Sequence, residues 1–307
     1  MHCSKNIFLK ASWLTLKKSA DRAALDIISY GFICIIALIT LAPFVILLIN
    51  SFVSEHYILN NGFSLIPKEF SVEAYKLIFN YPQKILRAYG VTIFITVVGT
   101  VISLFLSTMA AYVMFRKEVK YRNALAFFIF FTTLFNGGLA PYYIIVSNTL
   151  HLQDSILVLL LVPMFSAMNI LILRNFIKGS IPDSLVESAK IDGAGDFRIY
   201  VQMVLPLSKA ALASIGLFTA LNYWNDWWTA MMFMQNDKLF PLQYVLYQIL
   251  SSTNIAANMV NYVARLDMPK ETLKLAMTVV SAGPIVFLYP FVQKYFVKGV
   301  TIGSVKG

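Results

Sequence analysis

The sequence predicts an all-α integral membrane protein of six transmembrane helices forming one membrane domain. Hydrophobic residues make up 58% and charged residues 13% of its 307 positions, against about 45–50% and about 25% in ordinary globular domains. Mean hydropathy is +0.70. The charges also punctuate the chain, leaving charge-free runs at 27–54, 88–115, 123–153, 155–173, 210–225 and 275–293. A helix needs about 20 apolar residues to cross a bilayer. Only a structure that satisfies its own backbone groups survives there, so runs of this length are read as helices.

Taken in order, a basic tail (1–26) precedes a membrane domain (27–297) and a short C-terminal tail (298–307). The spans fall near 28–50, 91–114, 124–147, 155–177, 210–234 and 272–293, the fifth running through Asp226. Segments 51–90 and 235–271 are too long and polar for tight turns and are expected as ordered outer loops. With the N-terminus inside, seventeen of the 25 Lys and Arg fall on the inner side and seven on the outer. The positive-inside bias therefore places both termini, and the 182–206 loop, in the cytoplasm. The tail before the first span shows no cleavage signature, so an uncleaved anchor is expected. Residues 5–22 fit either an interfacial amphipathic helix or a frayed basic tail.

The net charge of +10 suits basic loops facing anionic lipid better than nucleic acid, for which no motif is present. Cys3 and Cys34 are not expected to pair, and His2, His56 and His151 have no metal spacing.

The polar loop reads PDSLVESAKIDGAGDFRIYVQMVLP over 182–206. Ser180 with Asp183 fits a capping box, and Pro182 suits a first helical turn. Gly193 can break the helix, and a second short helix then leads to Pro206. The expectation is helix, turn and helix along the membrane surface.

The spacing within this loop is specific. Glu187-Ser188-Ala189 precedes Gly193 by three residues, and nine more separate Gly193 from Met203, with Leu205-Pro206 beyond. It resembles the EAA signature of permease subunits of binding-protein-dependent ABC importers, departing from it at Ser188 and Met203. The ending QKYFVKGVTIGSVKG (293–307) resembles carbohydrate permeases of the maltose type. FNGGLAPYYIIVSNTL (135–150) and PLQYVLYQIL (241–250) resemble the oligo- and polysaccharide branch of that family. The resemblance implies a type I ABC importer transmembrane domain, with the coupling helix in the loop between helices 4 and 5. It implies ATPase coupling through Glu187, Ser188, Ala189, Asp192, Gly193, Ala194 and Pro206. A further ATPase contact is implied at Val305, Lys306 and Gly307. The implied partners are a second homologous permease, two ATP-binding subunits and an extracytoplasmic solute-binding protein. The implied location is the bacterial cytoplasmic membrane.

A path for sugar is expected along the fifth span. Asn222 and Asp226 can bond hydroxyls, while Tyr223, Trp224 and Trp227 can stack on apolar C–H faces. Asn222 and Asp226 are four apart, hence on one face of a continuous helix. The competing reading makes Asp226 structural glue between helices. In the third span, Asn136, Gly137-Gly138, Pro141 and Tyr142 mark either a broken helix lining a cavity or close packing at small residues. Asn169 in the fourth span is a further candidate.

The sequence holds no phosphate-loop motif, so ATP and Mg are expected only in partner subunits, and this chain needs no cofactor and is not an enzyme by itself. A permease for a non-sugar solute, or a multispanning membrane enzyme using Asp226 and a histidine, are the alternatives.

Overall fold

The computed structural model describes residues 20–79, 82–258 and 269–286, and every described regular element is a helix. Helix α1 (Ala20–Asn50) carries the apolar run Leu25–Asn50, and residues 25–49 of it are not buried inside this chain. Its end is anchored through Asn50. That side chain donates to the Ser64 carbonyl at 2.9 Å and accepts from the Ser64 N–H at 3.0 Å. Ser54 caps the short α2 (Glu55–Asn61), and α3 (Glu73–Phe79) follows. The Glu55 carboxylate accepts from the backbone N–H groups of Glu271 and Thr272, both at 2.9 Å. A side chain distant in sequence thus satisfies donors at the start of the last described helix, residues 270–286.

Helix α4 (Pro82–Phe115) is the hub, packing against α3, α5, α7, α8, α12 and α14. At 34 residues it spans about 51 Å.

The other apolar runs are interrupted, and each break has a cause in sequence. Between α5 (Arg122–Leu134) and α6 (Leu139–Ile144) the chain turns by 117°. Gly138 takes φ +88° there, and Asn136 Oδ1 accepts its N–H at 2.9 Å. A π turn (Ile145–Thr149) completes that limb. The fourth run is split into α7 (Ile156–Leu161) and α8 (Ala167–Ser180) around Pro163, which has no N–H to offer. Helix α9 (Asp183–Ile191) forms the polar turn. Beyond it, α10 (Asp196–Ile199), a π turn (Tyr200–Val204) and α11 (Leu205–Leu207) run continuously into α12 (Lys209–Asn225) through an 81° bend. Then come α13 (Trp228–Phe233), a 3₁₀ turn (Asp237–Leu239) and α14 (Leu242–Asn258).

Among the described residues, two helices are long and apolar enough to cross a bilayer, and two bent pairs could supply two more. The six expected spans are therefore not six continuous helices, because Gly138, Pro163 and Asp226 interrupt them. The sixth is described only to residue 286. Segment 235–271, expected as a loop, contains the 17-residue α14. Ser180 ends α8 instead of capping α9, and Pro182 occupies the cap position with no side-chain bond to give.

Helices α4 and α12 cross closely at Gly99. A Cβ placed there would collide with the ring of Tyr223, which is fully buried and donates its hydroxyl to the Leu160 carbonyl at 2.7 Å. Gly99→Ala is expected to destabilise the protein by about 1–3 kcal/mol through overpacking. Gly99→Ala with Tyr223→Leu should lose less than the sum of the two single changes, as read from thermal unfolding in detergent. Strict additivity would refute the close crossing.

Candidate functional site

The polar turn is closed by backbone geometry. Gly193 has φ +80°. Its N–H donates to the Lys190 carbonyl and the Ala194 N–H to the Ala189 carbonyl, both at 2.9 Å. This pair of bonds is a Schellman motif, which requires the left-handed conformation that glycine adopts without penalty. Nothing lies within 4 Å of a Cβ built on Gly193, so its surroundings are open. Glu187, Ser188, Asp192 and Pro206 are exposed, while Ala189 and Ala194 are half-buried against the core. Ile191 is 86% exposed and Phe197 66%, an apolar rim on a polar turn. Such a rim offers a contact surface that this chain leaves uncovered.

The turn is held to α4 by a charge cluster that sequence reasoning missed. Arg116 is only 6% exposed. It donates to the Tyr112 hydroxyl at 2.7 Å, pairs with Glu118, and lies 3.3 Å from Asp196. Lys190 of α9 pairs with Glu118 as well, and Lys117 pairs with Asp183 at the first turn of α9. The Lys190 ammonium and the Arg116 guanidinium hold the Glu118 carboxyl below its ordinary range. Tyr200 adds a neutral tie, donating to the Phe105 carbonyl at 2.7 Å. The available signal was four basic residues clustered at 116–122, directly after a long charge-free run.

The second candidate region lies at the break between α12 and α13. Asp226 is outside the helix, with extended backbone, and its Oδ1 accepts the Thr229 N–H at 3.0 Å, capping α13. Asn222 and Asp226 therefore do not share a face of one continuous helix, because the helix ends at Asn225. Asn222 is exposed. Tyr223 and Trp224 are buried, Trp224 donates to the Ser281 carbonyl at 3.2 Å, and Trp224 also borders an apolar cavity of about 390 Å³ between α4 and α12. Trp227 stacks on Tyr247 with centroids 4.5 Å apart, and Tyr247 is in turn stacked with Tyr244 at 6.3 Å. Gln243 reaches Asn225 at 3.4 Å and the Ser281 hydroxyl at 2.6 Å. The result is an aromatic shelf with amides and a carboxylate alongside. Its Tyr247 and Asn225 were not anticipated.

The remaining candidates make contacts within the fold. Asn169 donates to the Thr219 hydroxyl at 3.4 Å, joining α8 to α12. Asn136 stabilises the Gly138 turn. Tyr142 packs edge-on against Phe233 at 5.8 Å. Asp154, the lone acid between two apolar runs, accepts from the N–H groups of Gln235 and Asn236 and so fixes the exit of α13. Val305, Lys306 and Gly307, with both tails, lie outside the described residues, apart from 20–26 at the start of α1.

The chain is a bundle of broken helices carrying an uncovered, glycine-closed polar turn. Residues 99–302 match the family described as binding-protein-dependent transport system inner membrane component, and the chain belongs to that family. The polygalacturonan/rhamnogalacturonan transport system permease protein YtcP of Bacillus subtilis (strain 168) is 40% identical over 283 residues, covering 92% of this chain and 98% of its own. Protein LplC of the same organism is 36% identical over 293 residues, covering 95% and 98%. A chain in the crystal structure of a bacterial ABC transporter involved in the import of the acidic polysaccharide alginate is also similar. It has a TM-score of 0.76 and 31% identity, over 91% of this chain and 98% of that one.

Two outcomes follow from these geometries. Because the pKa of Glu118 is lowered in the folded protein, its pairing with Lys190 is complete above the ordinary carboxylate value of about 4.3 and is lost only as pH falls below it. A spin label at Ser184 should keep constant mobility from pH 8 to pH 5 and loosen in more acid buffer, whereas Glu118→Gln should be loose throughout. A transition centred near pH 6 would contradict the assignment. Asp226→Ala should cost about 0.5–2 kcal/mol through the lost cap of α13, while Asp226→Asn keeps an acceptor and most of that stability. Equal melting temperatures for the two variants would count against the capping role.

Proposed function

We propose that this chain is the permease subunit of an ABC importer that carries a carbohydrate, an oligosaccharide or polysaccharide fragment, across the bacterial cytoplasmic membrane. The printed names of the relatives support the substrate class, as does the alginate importer. The shelf of Trp227, Tyr247 and Tyr244 beside Asn225 and Asp226 suits a sugar chemically, since aromatic faces take C–H surfaces and amides take hydroxyls.

The observation that carries the proposal is the exposed turn at Gly193. In this reading it faces the cytoplasm and docks into one of two ATP-binding subunits, which hold ATP and Mg. A second, homologous permease completes the pore, and an extracytoplasmic binding protein delivers the sugar. Closure of the ATPases on nucleotide pushes α9, and the charge cluster on Arg116 passes the displacement to α4. Transport then requires that nucleotide binding favour one arrangement of the helices over the other by a real free-energy difference.

The test is a graded series at Gly193 in proteoliposomes holding the complete transporter. Asparagine tolerates positive φ and valine does not. Gly193→Asn should retain most uptake. Gly193→Val carries about 1–3 kcal/mol of backbone strain, and uptake should fall roughly 5- to 150-fold with the protein still in the membrane. Full sugar uptake by Gly193→Val would end the coupling assignment.

A further inference from the structure

Beside the polar turn, sharing only Lys117 and Asp183 with the charge cluster that anchors it, a cavity of about 470 Å³ opens between the end of α4, the start of α5 and the end of α8. Its floor is apolar, formed by Met114, Phe115, Ile181 and Pro182. Its rim carries four cations, Lys117, Arg122, Arg174 and Lys178, against one carboxylate, Asp183. That carboxylate is already engaged by Lys117. Arg122, Arg174 and Lys178 form no ion pair with any described residue. Both arginines are half-buried.

Half-buried guanidinium groups around an apolar floor repel one another and lack the full hydration that would screen them. An anion between them relieves both costs, and a guanidinium fork fits phosphate oxygens in bidentate fashion. The surroundings narrow the source of that anion. Arg122 is the first residue of α5, and the following turns expose Leu125, Phe127 and Phe128. Tyr121, immediately before it, is 78% exposed. A tyrosine at the mouth of an apolar helix marks the headgroup layer of a bilayer. The cavity therefore meets the membrane at the depth of lipid phosphates, with apolar surface both beneath and beside it.

We propose that this groove binds the phosphate of an anionic phospholipid, held by Arg122, Arg174 and Lys178, with the glycerol end of the lipid over Met114 and Phe115. The site is independent of what the chain transports. Its position gives it a consequence, because Lys117 shares the rim and binds Asp183 at the start of α9. A bound lipid thus sits against the first turn of the helix that the turn at Gly193 closes.

The experiment uses the full chain, assembled with its partner subunits, in nanodiscs of phosphatidylcholine with increasing phosphatidylglycerol. Native mass spectrometry reads the apparent affinity for phosphatidylglycerol. Each cation near a membrane surface contributes about a fivefold factor, so Arg122→Gln with Arg174→Gln should weaken retention roughly thirtyfold. Arg122→Lys with Arg174→Lys keeps the charge and should retain most of the preference. Lys178→Gln, at an exposed position that the fold does not use, should weaken it about fivefold. Millimolar inorganic phosphate should leave the lipid in place. Equal retention by wild type and Lys178→Gln, equal retention by wild type and the double glutamine variant, or displacement by inorganic phosphate would each overturn the proposal.

Discussion

The close crossing of α4 and α12 at Gly99 is the contact on which both ends of the molecule depend. Tyr223 lies over bare backbone there and spends its hydroxyl on Leu160, so α4, α12 and α7 are locked at one depth. Two residues past Tyr223 the helix ends, and Asp226 caps the next one. The break is rigid because the helix leading into it cannot slide along α4. An unpaired backbone at this depth would be costly in lipid. Here the protein supplies the missing bonds, with Asp226 serving the Thr229 N–H and Thr92 serving the buried Leu242 N–H at 2.8 Å.

Helix α4 also joins the two candidate regions. Thr92 stands near one and Arg116 at the other, 24 positions apart, which is roughly 36 Å along a helix. At its far end, buried Arg116 holds exposed carboxylates from two segments, Glu118 and Asp196, while Lys190 draws α9 onto the same pair. Surface ion pairs are individually weak. This group gains from a guanidinium that is dry on one side and bonded to Tyr112. The turn at Gly193 is joined to α4 through these contacts and through Tyr200 on Phe105.

Much of the candidate site was legible before any coordinates. Gly193 was marked by its spacing, and the structure gives the reason as a Schellman turn with positive φ. At Gly137-Gly138 and Pro141 the sequence left a broken helix and close packing both open, and the structure has the break, at Gly138. Asp226 was noticed for its charge, but its use as a cap was not, nor was the burial of Tyr223 and Trp224. Whether an aromatic residue in an apolar run faces the core or an opening depends on which neighbour crosses it. For Tyr223 that neighbour is Gly99, 124 positions earlier. Capping by Glu55 of the helix beginning at residue 270 lies beyond any local pattern for the same reason.

The sequence by itself determined the class: an all-helical membrane chain with a polar, glycine-closed turn between apolar runs. Those properties follow from composition, from charge spacing and from the conformational range of single residues. Tertiary structure alone decided which aromatic rings are core and which cations stay unpaired. Each of these depends on contacts between residues far apart in the chain, where one side chain satisfies or blocks another, and local sequence carries no record of that meeting.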